Sequence, residues 1–497
     1  MKWLALVLCA GCAGRMGEIV SDPGDLAEAA GAPEIETVSE LGGGDVMLTG
    51  PVVPPQGDDF ATVGEALWVR GQSFGRLPTV TIAGRPAAVL ARTTDAGVIV
   101  RVPPAAAAGP RLLTITNDRG HSDFLLTVRR LVVAMPPGGG RLAFAVLDSE
   151  GLRATGEIEA SGRLMRVGSD GRAAYVLDPS SLKLTVIELP AEGGPRAAYT
   201  VAVAQPAEDN PVVAFVAAAQ AQSLLVLRAH DLVMLDASSS LHPVRGQPRA
   251  LPAALAKGVV TAAALSPDGR QAAVALESGN RIALVDLQRG GVASSCEVAL
   301  APDARVPVLV DVSFAPDGHT LWAVLGDTAK SRPVGPQPTE IAAVRIEPGA
   351  GAGGAPTLVV ARRVRIDEAE APVRLSAGRA LPLASGASIR LPPERATVYL
   401  TASARSGAAT VFRLGPEDRA TAFVEVPGVA GPADLSPDGR WLMVPVVSPQ
   451  GRLGIVAAPA DDRPGERRTV DLGSAGGGAA TGASRARSWL RRSRYST

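Results

Sequence analysis

Short apolar stretches alternate with turn-forming residues along most of the chain, and this pattern predicts β-strands. Between residues 66 and 128 six stretches of four or five residues occur, separated by Gly, Pro, Asn or Asp: 66–70, 79–82, 87–90, 98–102, 111–115 and 124–128. Runs this short, rich in β-branched residues and alternating in polarity, favour strands over helices. Strands at roughly ten-residue spacing predict a β-sandwich within residues 51–130.

A second pattern recurs along residues 131–473: a Ser-Pro-Asp-Gly turn followed by alternating apolar residues. Its clearest copies begin at Ser266, Ala315 and Ser436, and weaker copies begin at Ser169 and Pro392. In such a turn Pro presets φ, Asp caps the turn and Gly takes the positive-φ position. Copies about every 40–50 residues are typical of β-propeller blades. With an eroded copy at 212–235 we expect about seven blades, six or eight being the alternatives, with Phe314 and Trp322 packed between blades.

The first twelve residues, MKWLALVLCAGC, have the pattern of an export signal. Lys2 supplies a positive charge, residues 3–8 are apolar, and small residues precede Cys12. The apolar stretch is too short to span a bilayer as a stable anchor. Residues 13–50 are rich in Gly, Ala, Glu and Asp without a sustained apolar period, which predicts a flexible tether.

Composition narrows the classes of partner. The 497 residues suit two or three domains, and 46% hydrophobic residues exclude global disorder. The formal net charge is +0 and aromatic residues make up 3%, so the chain lacks both the basic field and the stacking surface of a nucleic-acid-binding protein. We expect 349–354 to be an inserted loop and 474–497 to be a disordered basic tail.

No local arrangement of residues predicts catalysis, a cofactor or a metal. The four histidines are not spaced as metal ligands: His121, His230, His242 and His319. Residues 71–75 match the G-x-S-x-G nucleophile elbow, but a strand follows where that motif needs a helix. We therefore interpret Ser73 as a turn residue and Phe74 as a core residue, and expect that the chain is not an enzyme. Cys296 is expected to be an inert, partly buried thiol in a strand.

Three segments resemble known families. Residues 8–12, LCAGC, resemble the bacterial lipoprotein lipobox, although Cys9 stands where a small or aliphatic residue is commoner. That resemblance implies lipidation of Cys12 and cleavage before it, with ordinary secretion as the alternative. Ala13 after the cysteine favours the outer membrane or the cell surface.

The sandwich segment resembles the IPT/TIG domain, an immunoglobulin-like fold. The resemblance rests on GQSFG at 71–75, PTVTIAG at 78–84, VPP at 102–104, Gly109 and LTITNDRG at 113–120. The repeats resemble the SPDG-type propellers of Tol-system and YVTN-like bacterial surface proteins. The fold expected is therefore all-β, an immunoglobulin-like sandwich followed by a propeller.

These features together predict a binding or scaffolding lipoprotein of the cell envelope. The propeller would present one face to a protein or polysaccharide partner, the sandwich would act as a spacer, and the lipid would hold a monomeric chain at the membrane. The alternatives are a propeller-based hydrolase or lyase acting on envelope or extracellular polymers, and a structural subunit without a discrete ligand. Fold alone does not decide among them.

Overall fold

The protein is described from a computed structural model that divides into two compact units, with the boundary after Arg129. The description covers residues 31–40 and 60–474, except for the following gaps: 94–96, 104–105, 137–138, 148–150, 169–172, 190–195, 219–220, 239–241, 257, 277–279, 299–306, 316, 328–336, 350–354, 366–386, 389–397, 404–407, 415–419, 431–432, 436–440 and 461–466. The predicted export signal with Cys12 and the predicted basic tail lie outside the described residues.

Unit 1 consists of short antiparallel strands and one parallel edge pair. Its strands are β1 (Glu34–Glu40), β2 (Phe60–Thr62), β3 (Ala66–Gln72), β4 (Thr79–Ile82), β5 (Arg85–Pro86), β6 (Ala88–Thr93), β7 (Gly97–Arg101), β8 (Gly109–Asn117) and β9 (Gly120–Ala134). One sheet has the order β1-β3-β7-β6, and the second contains β9-β8-β4-β5 with β2 parallel to β9. Residues 130–134 at the end of β9 belong to unit 2, where they pair with residues 143–147.

The two sheets of unit 1 share one apolar core. Alternate residues of β3 and β7 and of β4, β8 and β9 meet in it, because a strand turns every second side chain to the same face. Phe74 is buried in this core, as the sequence predicts. Unit 1 is therefore a two-layer β structure.

The tether prediction for residues 13–50 is wrong for part of that segment. Residues 34–40 form β1, which pairs with β3 from Glu34↔Gln72 to Glu40↔Leu67. The interpretation failed because β1 has only two apolar residues, Ile35 and Val38, among three glutamates, a threonine and a serine, and these apolar side chains find partners only through the tertiary pairing. Ile35 and Val38 pack against the unit 1 core.

Asn117 organises the hairpin between β8 and β9. Its Oδ1 accepts hydrogen bonds from the N–H groups of Arg119 and Gly120 at 2.7 and 2.9 Å. Its Nδ2 donates to the carbonyls of Gly31 and Ser73 at 2.9 and 2.6 Å. One amide therefore ties the hairpin, the N-terminal segment and the turn after β3 together.

Unit 2 is a succession of antiparallel sheets in chain order, which we number as blades 1 to 7. Blade 1 contains the end of β9 with β10 (Gly140–Leu147) and β11 (Leu152–Ala160), and blade 2 contains β12 (Leu164–Val167), β13 (Ala173–Asp178), β14 (Lys183–Glu188) and β15 (Arg196–Ala202). Blade 3 contains β16 (Val212–Ala217), β17 (Ser223–Arg228), β18 (Asp231–Asp236), β19 (Val244–Arg245) and β20 (Arg249–Ala250). Blade 4 follows the short helix α1 (Ala253–Ala256) and contains β21 (Val260–Leu265), β22 (Gln271–Leu276), β23 (Arg281–Asp286) and β24 (Gly291–Glu297).

Blades 5 to 7 continue the same order. Blade 5 contains β25 (Pro307–Phe314), β26 (Thr320–Asp327), β27 (Gln337–Glu347) and β28 (Thr357–Arg365). Blade 6 contains β29 (Ala387–Ser388), β30 (Val398–Ser403), β31 (Ala408–Leu414) and β32 (Ala420–Pro427). Blade 7 contains β33 (Val429–Ala430), β34 (Asp434–Leu435), β35 (Trp441–Val447), β36 (Arg452–Pro459) and β37 (Arg468–Ser474).

The blades form a ring. Apolar clusters join blades 1 and 2, 2 and 3, 3 and 4, 4 and 5, and 6 and 7, and β25 contacts β29 between blades 5 and 6. Strand β37 contacts β10 and β11, so the last blade meets the first. This arrangement is a β-propeller, with seven blades among the described strands. Phe314 packs between blades 4 and 5, as predicted, and Trp322 is buried.

The turns that begin at Ser266 and Ala315 join the first and second strands of a blade, and the copies predicted at Ser169, Pro392 and Ser436 lie outside the described residues. At the turn beginning with Ser266, the Ser266 hydroxyl donates to Asp268 Oδ1 at 2.6 Å, and Gly269 has φ +72°. The carbonyl of Pro267 accepts from the N–H of Ala221 in blade 3 at 3.1 Å. The turn therefore also connects blade 4 to blade 3 through a backbone hydrogen bond.

Candidate functional site

The blades have two distinct ends. At one end, which we call the turn face, lie the Ser-Pro-Asp-Gly turns. At the other, which we call the linker face, lie the turns between second and third strands and the segments that lead to the next blade. A backbone hydrogen bond repeats at the linker face of blades 2, 3 and 4, where the first residue after the blade donates to the turn: Val203 to Leu182, Leu251 to His230 and Val298 to Asn280, at 2.8–2.9 Å. These bonds hold the linker segments at fixed positions.

Three successive blades bury a polar side chain at the linker face. They are Arg228 in blade 3, Asn280 in blade 4 and Glu340 in blade 5. Buried polar groups are unfavourable unless they are hydrogen-bonded, so the partners of these three side chains decide what each one does. The turn face buries polar residues too, Glu188 in blade 2 and Ser266 in blade 4.

Arg228 lies at the centre of the best-connected of these sites. Its Nε donates to Asp231 Oδ1 at 2.6 Å, its Nη2 pairs with Asp231 Oδ2, and its Nη1 donates to the carbonyl of Gln205 at 3.0 Å. Asn210 Nδ2 donates to Asp231 Oδ2 at 3.0 Å, and Asn210 Oδ1 accepts from the N–H of His230 at 2.9 Å. The side chains of Arg228 and Asp231 are 6% and 17% exposed.

This network holds the segment 205–211 between blades 2 and 3, which we call the acidic loop. Residues 205–209 are all exposed, and Asn210 and Gln205 anchor the two ends of the loop to the buried pair. Glu208 and Asp209 lie at its centre. Within the described part of the chain neither carboxylate has an ion pair or a hydrogen bond, so the loop presents two uncompensated negative charges on a rigid support.

At the linker face of blades 4 and 5 the buried polar residue is an asparagine and a glutamate, respectively. Asn280 has φ +46°, and its Oδ1 is buried without a hydrogen-bond partner among the described residues. Glu340 is buried and pairs with Arg363 Nη1 at 3.3 Å. The linker face therefore carries differing polar groups on a repeated backbone frame.

The acids of the turn face have a structural role. Asp268 Oδ1 accepts from the Ser266 hydroxyl and from the N–H of Arg270, and Asp317 Oδ1 accepts from the N–H groups of His319 and Thr320. Burial raises the pKa of Asp268, but these hydrogen bonds and the Arg270 charge outweigh burial and bring the pKa below its ordinary value. Among the described residues no group of three or more His, Cys, Asp or Glu side chains is arranged to hold a metal ion.

The histidines and the cysteine singled out in the sequence lie apart. His121 stands opposite Thr116 in unit 1, His230 lies in the linker-face turn of blade 3, and His242 contacts the ring of Tyr199. Cys296 lies in β24 with intermediate exposure, and burial raises the pKa of its thiol. A raised pKa leaves the thiol protonated and poorly nucleophilic at neutral pH.

Ser73 lies in a turn. It has φ +57°, and the next element along the chain is β4, which begins at Thr79. A nucleophile elbow needs a helix at that position. Unit 2 also has a cleft of about 10 Å³ at the turn face between blades 2 and 3, lined by Tyr175, Gln222 and several alanines. That volume is far below the roughly 300–1,000 Å³ of ordinary small-molecule sites.

Sequence reasoning missed the linker-face network. Arg228 and Asp231 flank a two-residue turn and are visible as a charged pair, but Asn210 and Gln205 come from a preceding segment that only the packing of blades 2 and 3 brings near. No helix in the described part of the chain has the length and apolar character to cross a membrane.

Comparison with known proteins finds only distant structural similarity. No family model and no curated protein matches the chain. Similar solved structures include the Cps50 (Swd1) β-propeller domain of Myceliophteria thermophila, with 14% identity, a TM-score of 0.41 and coverage of 64% of this chain and 95% of that one. An auxiliary nutrient binding protein from Bacteroides thetaiotaomicron shares 12% identity, with a TM-score of 0.35 and coverage of 85% and 96%.

A third similar structure corrects the expectation that the chain is not an enzyme. The dihydro-heme d1 dehydrogenase NirN, in complex with DHE, shares 16% identity, with a TM-score of 0.37 and coverage of 73% of this chain and 72% of that one. Enzymes are thus among the similar structures. The expectation was wrong because it rested on local spacing, whereas a propeller site draws single residues from several blades and leaves no local motif.

Proposed function

We propose that this chain is a lipid-anchored binding protein of the bacterial cell envelope that contacts a protein partner through the linker face of its propeller. The observation that carries the proposal is the acidic loop: an exposed loop held by a buried, bidentate ion pair. A buried pair contributes little net stability compared with apolar packing. Its value here lies in fixing the backbone of the loop, and a preordered loop loses less conformational entropy on binding.

The charge of the loop favours a partner with basic side chains. Glu208 and Asp209 are exposed and uncompensated among the described residues, and like charges close to them would be repelled. The acidic loop contains no aromatic residue on which a sugar ring would stack, so a protein is favoured over a polysaccharide. In this proposal unit 1 is an immunoglobulin-like domain of the IPT/TIG type that acts as a spacer.

Site-specific photo-cross-linking in intact cells tests the binding face. A photoreactive residue in place of Asp209 should give a discrete adduct with a protein, and Asn210→Ala should reduce that adduct because it releases the loop from Asp231. The matched control is a photoreactive residue in place of Arg270, whose side chain is 71% exposed on the turn face. Equal adducts from both positions, or an adduct with polysaccharide alone, would contradict the proposal.

The lipid anchor is tested separately at Cys12. Metabolic labelling with a fatty-acid analogue should mark the wild-type chain and be lost in Cys12→Ala, and the wild type should fractionate with the outer membrane. Each buried methylene of an acyl chain contributes roughly 0.8 kcal/mol, so the unlabelled variant should be released into the soluble fraction. Loss of label in Cys9→Ala with label retained in Cys12→Ala would show that the other cysteine is modified.

A further inference from the structure

Strand β15, the last strand of blade 2, has an unusually open edge. Six of its seven residues are exposed and the seventh, Val201, has intermediate exposure. Among the described strands it pairs with β14 alone, on one side. The N–H and C=O groups along its other side form a row that matches only water or the backbone of another strand.

The strand is also uncharged along that edge. Its one charged residue is Arg196, whose Nε donates to the buried carboxylate of Glu188 at 2.5 Å. The residues from Ala197 to Ala202 are Ala, Tyr, Thr and Val. Nothing along β15 therefore repels an incoming strand.

Several other outer strands carry the devices that prevent strand addition, and β24, which is uncharged from Gly291 to Cys296, is mostly half-buried. Strand β11 has six exposed residues out of nine but contains Arg153, Glu157 and Glu159. Strand β28 contains three arginines, and the outer part of blade 3 is broken into the two-residue strands β19 and β20 by Gly-Gln-Pro. Charges, prolines and short strands are the usual means of blocking an edge. Strand β15 has none of them between Ala197 and Ala202.

One end of the open edge is positively charged. Lys183, the first residue of β14, is paired with Ala202, and Arg245 Nη1 lies 3.4 Å from the carbonyl oxygen of Ala202. Both side chains are exposed. Beside them lie two exposed apolar side chains, Tyr199, held against His242 at a ring distance of 5.3 Å, and Val244, 65% exposed.

We propose that the free edge of β15 adds an extended segment of a partner protein as an antiparallel strand. The segment is uncharged opposite Ala197–Val201 and acidic at its N-terminal end, which in antiparallel pairing lies beside Ala202, Lys183 and Arg245. Backbone hydrogen bonds supply the attraction, and Tyr199 and Val244 contact its apolar side chains. A second copy of this chain fits less well, because antiparallel self-pairing brings the exposed Arg196 of one copy toward Lys183 and Arg245 of the other. The site runs along the outer edge of blade 2, and its positive end adjoins the linker face, where Val203 follows β15.

A synthetic peptide tests the site directly. The probe is acetyl-Asp-Asp-Thr-Val-Thr-Val-Thr-amide, titrated into the full chain by calorimetry. We expect saturable binding, weakened roughly tenfold or more by Thr200→Lys, because a lysine on the edge hinders strand addition. Thr469→Lys, on the exposed face of the charged strand β37, is the matched control and should leave binding unchanged. The reversed peptide, with the acids at its C-terminal end, should bind several-fold more weakly.

Two measurements keep the result independent of folding defects. The same peptide N-methylated at alternate amides should not bind the wild-type chain, because it lacks the donors needed for pairing. The double variant Lys183→Glu, Arg245→Glu should reverse the preference between the two peptides. No saturable binding of the probe at about 1 mM, or equal binding to wild type and Thr200→Lys, would overturn the proposal. A dimer that Thr200→Lys dissociates, without peptide binding, would show that the occupant is a second copy.

Discussion

Replacing Arg228 by methionine should lower the free energy of unfolding of unit 2 by about 3–5 kcal/mol, because Asp231 is left buried without its partner. Asn210 alone then stabilises that carboxylate, and one hydrogen bond does not replace a bidentate guanidinium. The free energy would be read from urea unfolding of the full chain, with hydrogen exchange used to locate the loss to blades 2 and 3.

The double variant Arg228→Met, Asp231→Leu separates stability from loop positioning. It should regain most of the lost stability, since apolar replacement of a whole buried pair is close to neutral. The acidic loop should nevertheless stay released, with fast hydrogen exchange at 205–211.

The control is Arg452→Met, which removes an exposed ion pair. The side chains of Arg452 and its partner Asp471 are 60% and 49% exposed, so the substitution should change the unfolding midpoint little. If Arg452→Met were as damaging as Arg228→Met, burial would not be the source of the effect.

Gly71→Ala should detach β1 from unit 1 and destabilise that unit by about 2–4 kcal/mol. A Cβ at this position would lie 1.9 Å from the carbonyl oxygen of Glu34 and 2.8 Å from Cζ of Phe74. The first atom belongs to the backbone of β1, so the clash is relieved only if the strand moves. The measurement is urea unfolding of the full chain, with hydrogen exchange at residues 34–40 as the local readout.

Gly31→Ala is the matched control for this prediction. A Cβ there meets nothing within 4 Å, and the carbonyl that accepts from Asn117 is retained. Its stability should equal that of the wild type. Rapid hydrogen exchange at 34–40 in the wild type, with no further change in Gly71→Ala, would mean that β1 does not pair with β3 in solution.

The residues of the linker face show why local sequence motifs are uninformative about the function of this chain. In a propeller each blade contributes one or two residues to a given end, so functional side chains are separated by the length of a blade or more. Arg228, Asn280 and Glu340 follow this pattern, and no window of sequence shows them as a set. The expectation that the chain is not an enzyme was wrong for the same reason, since catalytic residues in this fold would be dispersed in the same way.

The sequence by itself determined the features that depend on local chemistry. Turn residues at Ser266 and Ala315 place hairpins between blade strands because Pro, Asp and Gly have intrinsic dihedral and hydrogen-bonding preferences. Alternating apolar residues determine the strands, and Phe74 and Phe314 are large apolar side chains that only a core accommodates. The all-β class and the propeller follow from these local signals repeated along the chain.

Only the tertiary structure decided the pairings between distant segments. Strand β1 is polar at five of its seven positions and lies in a segment that resembles a linker, and it becomes a strand because Gly71 allows its backbone to approach β3. Asn210 reaches Asp231 because blades 2 and 3 pack together, and β15 has a free edge because it is the outermost strand of its sheet. Each of these depends on contacts between residues far apart in the chain, whose free energy no local pattern encodes.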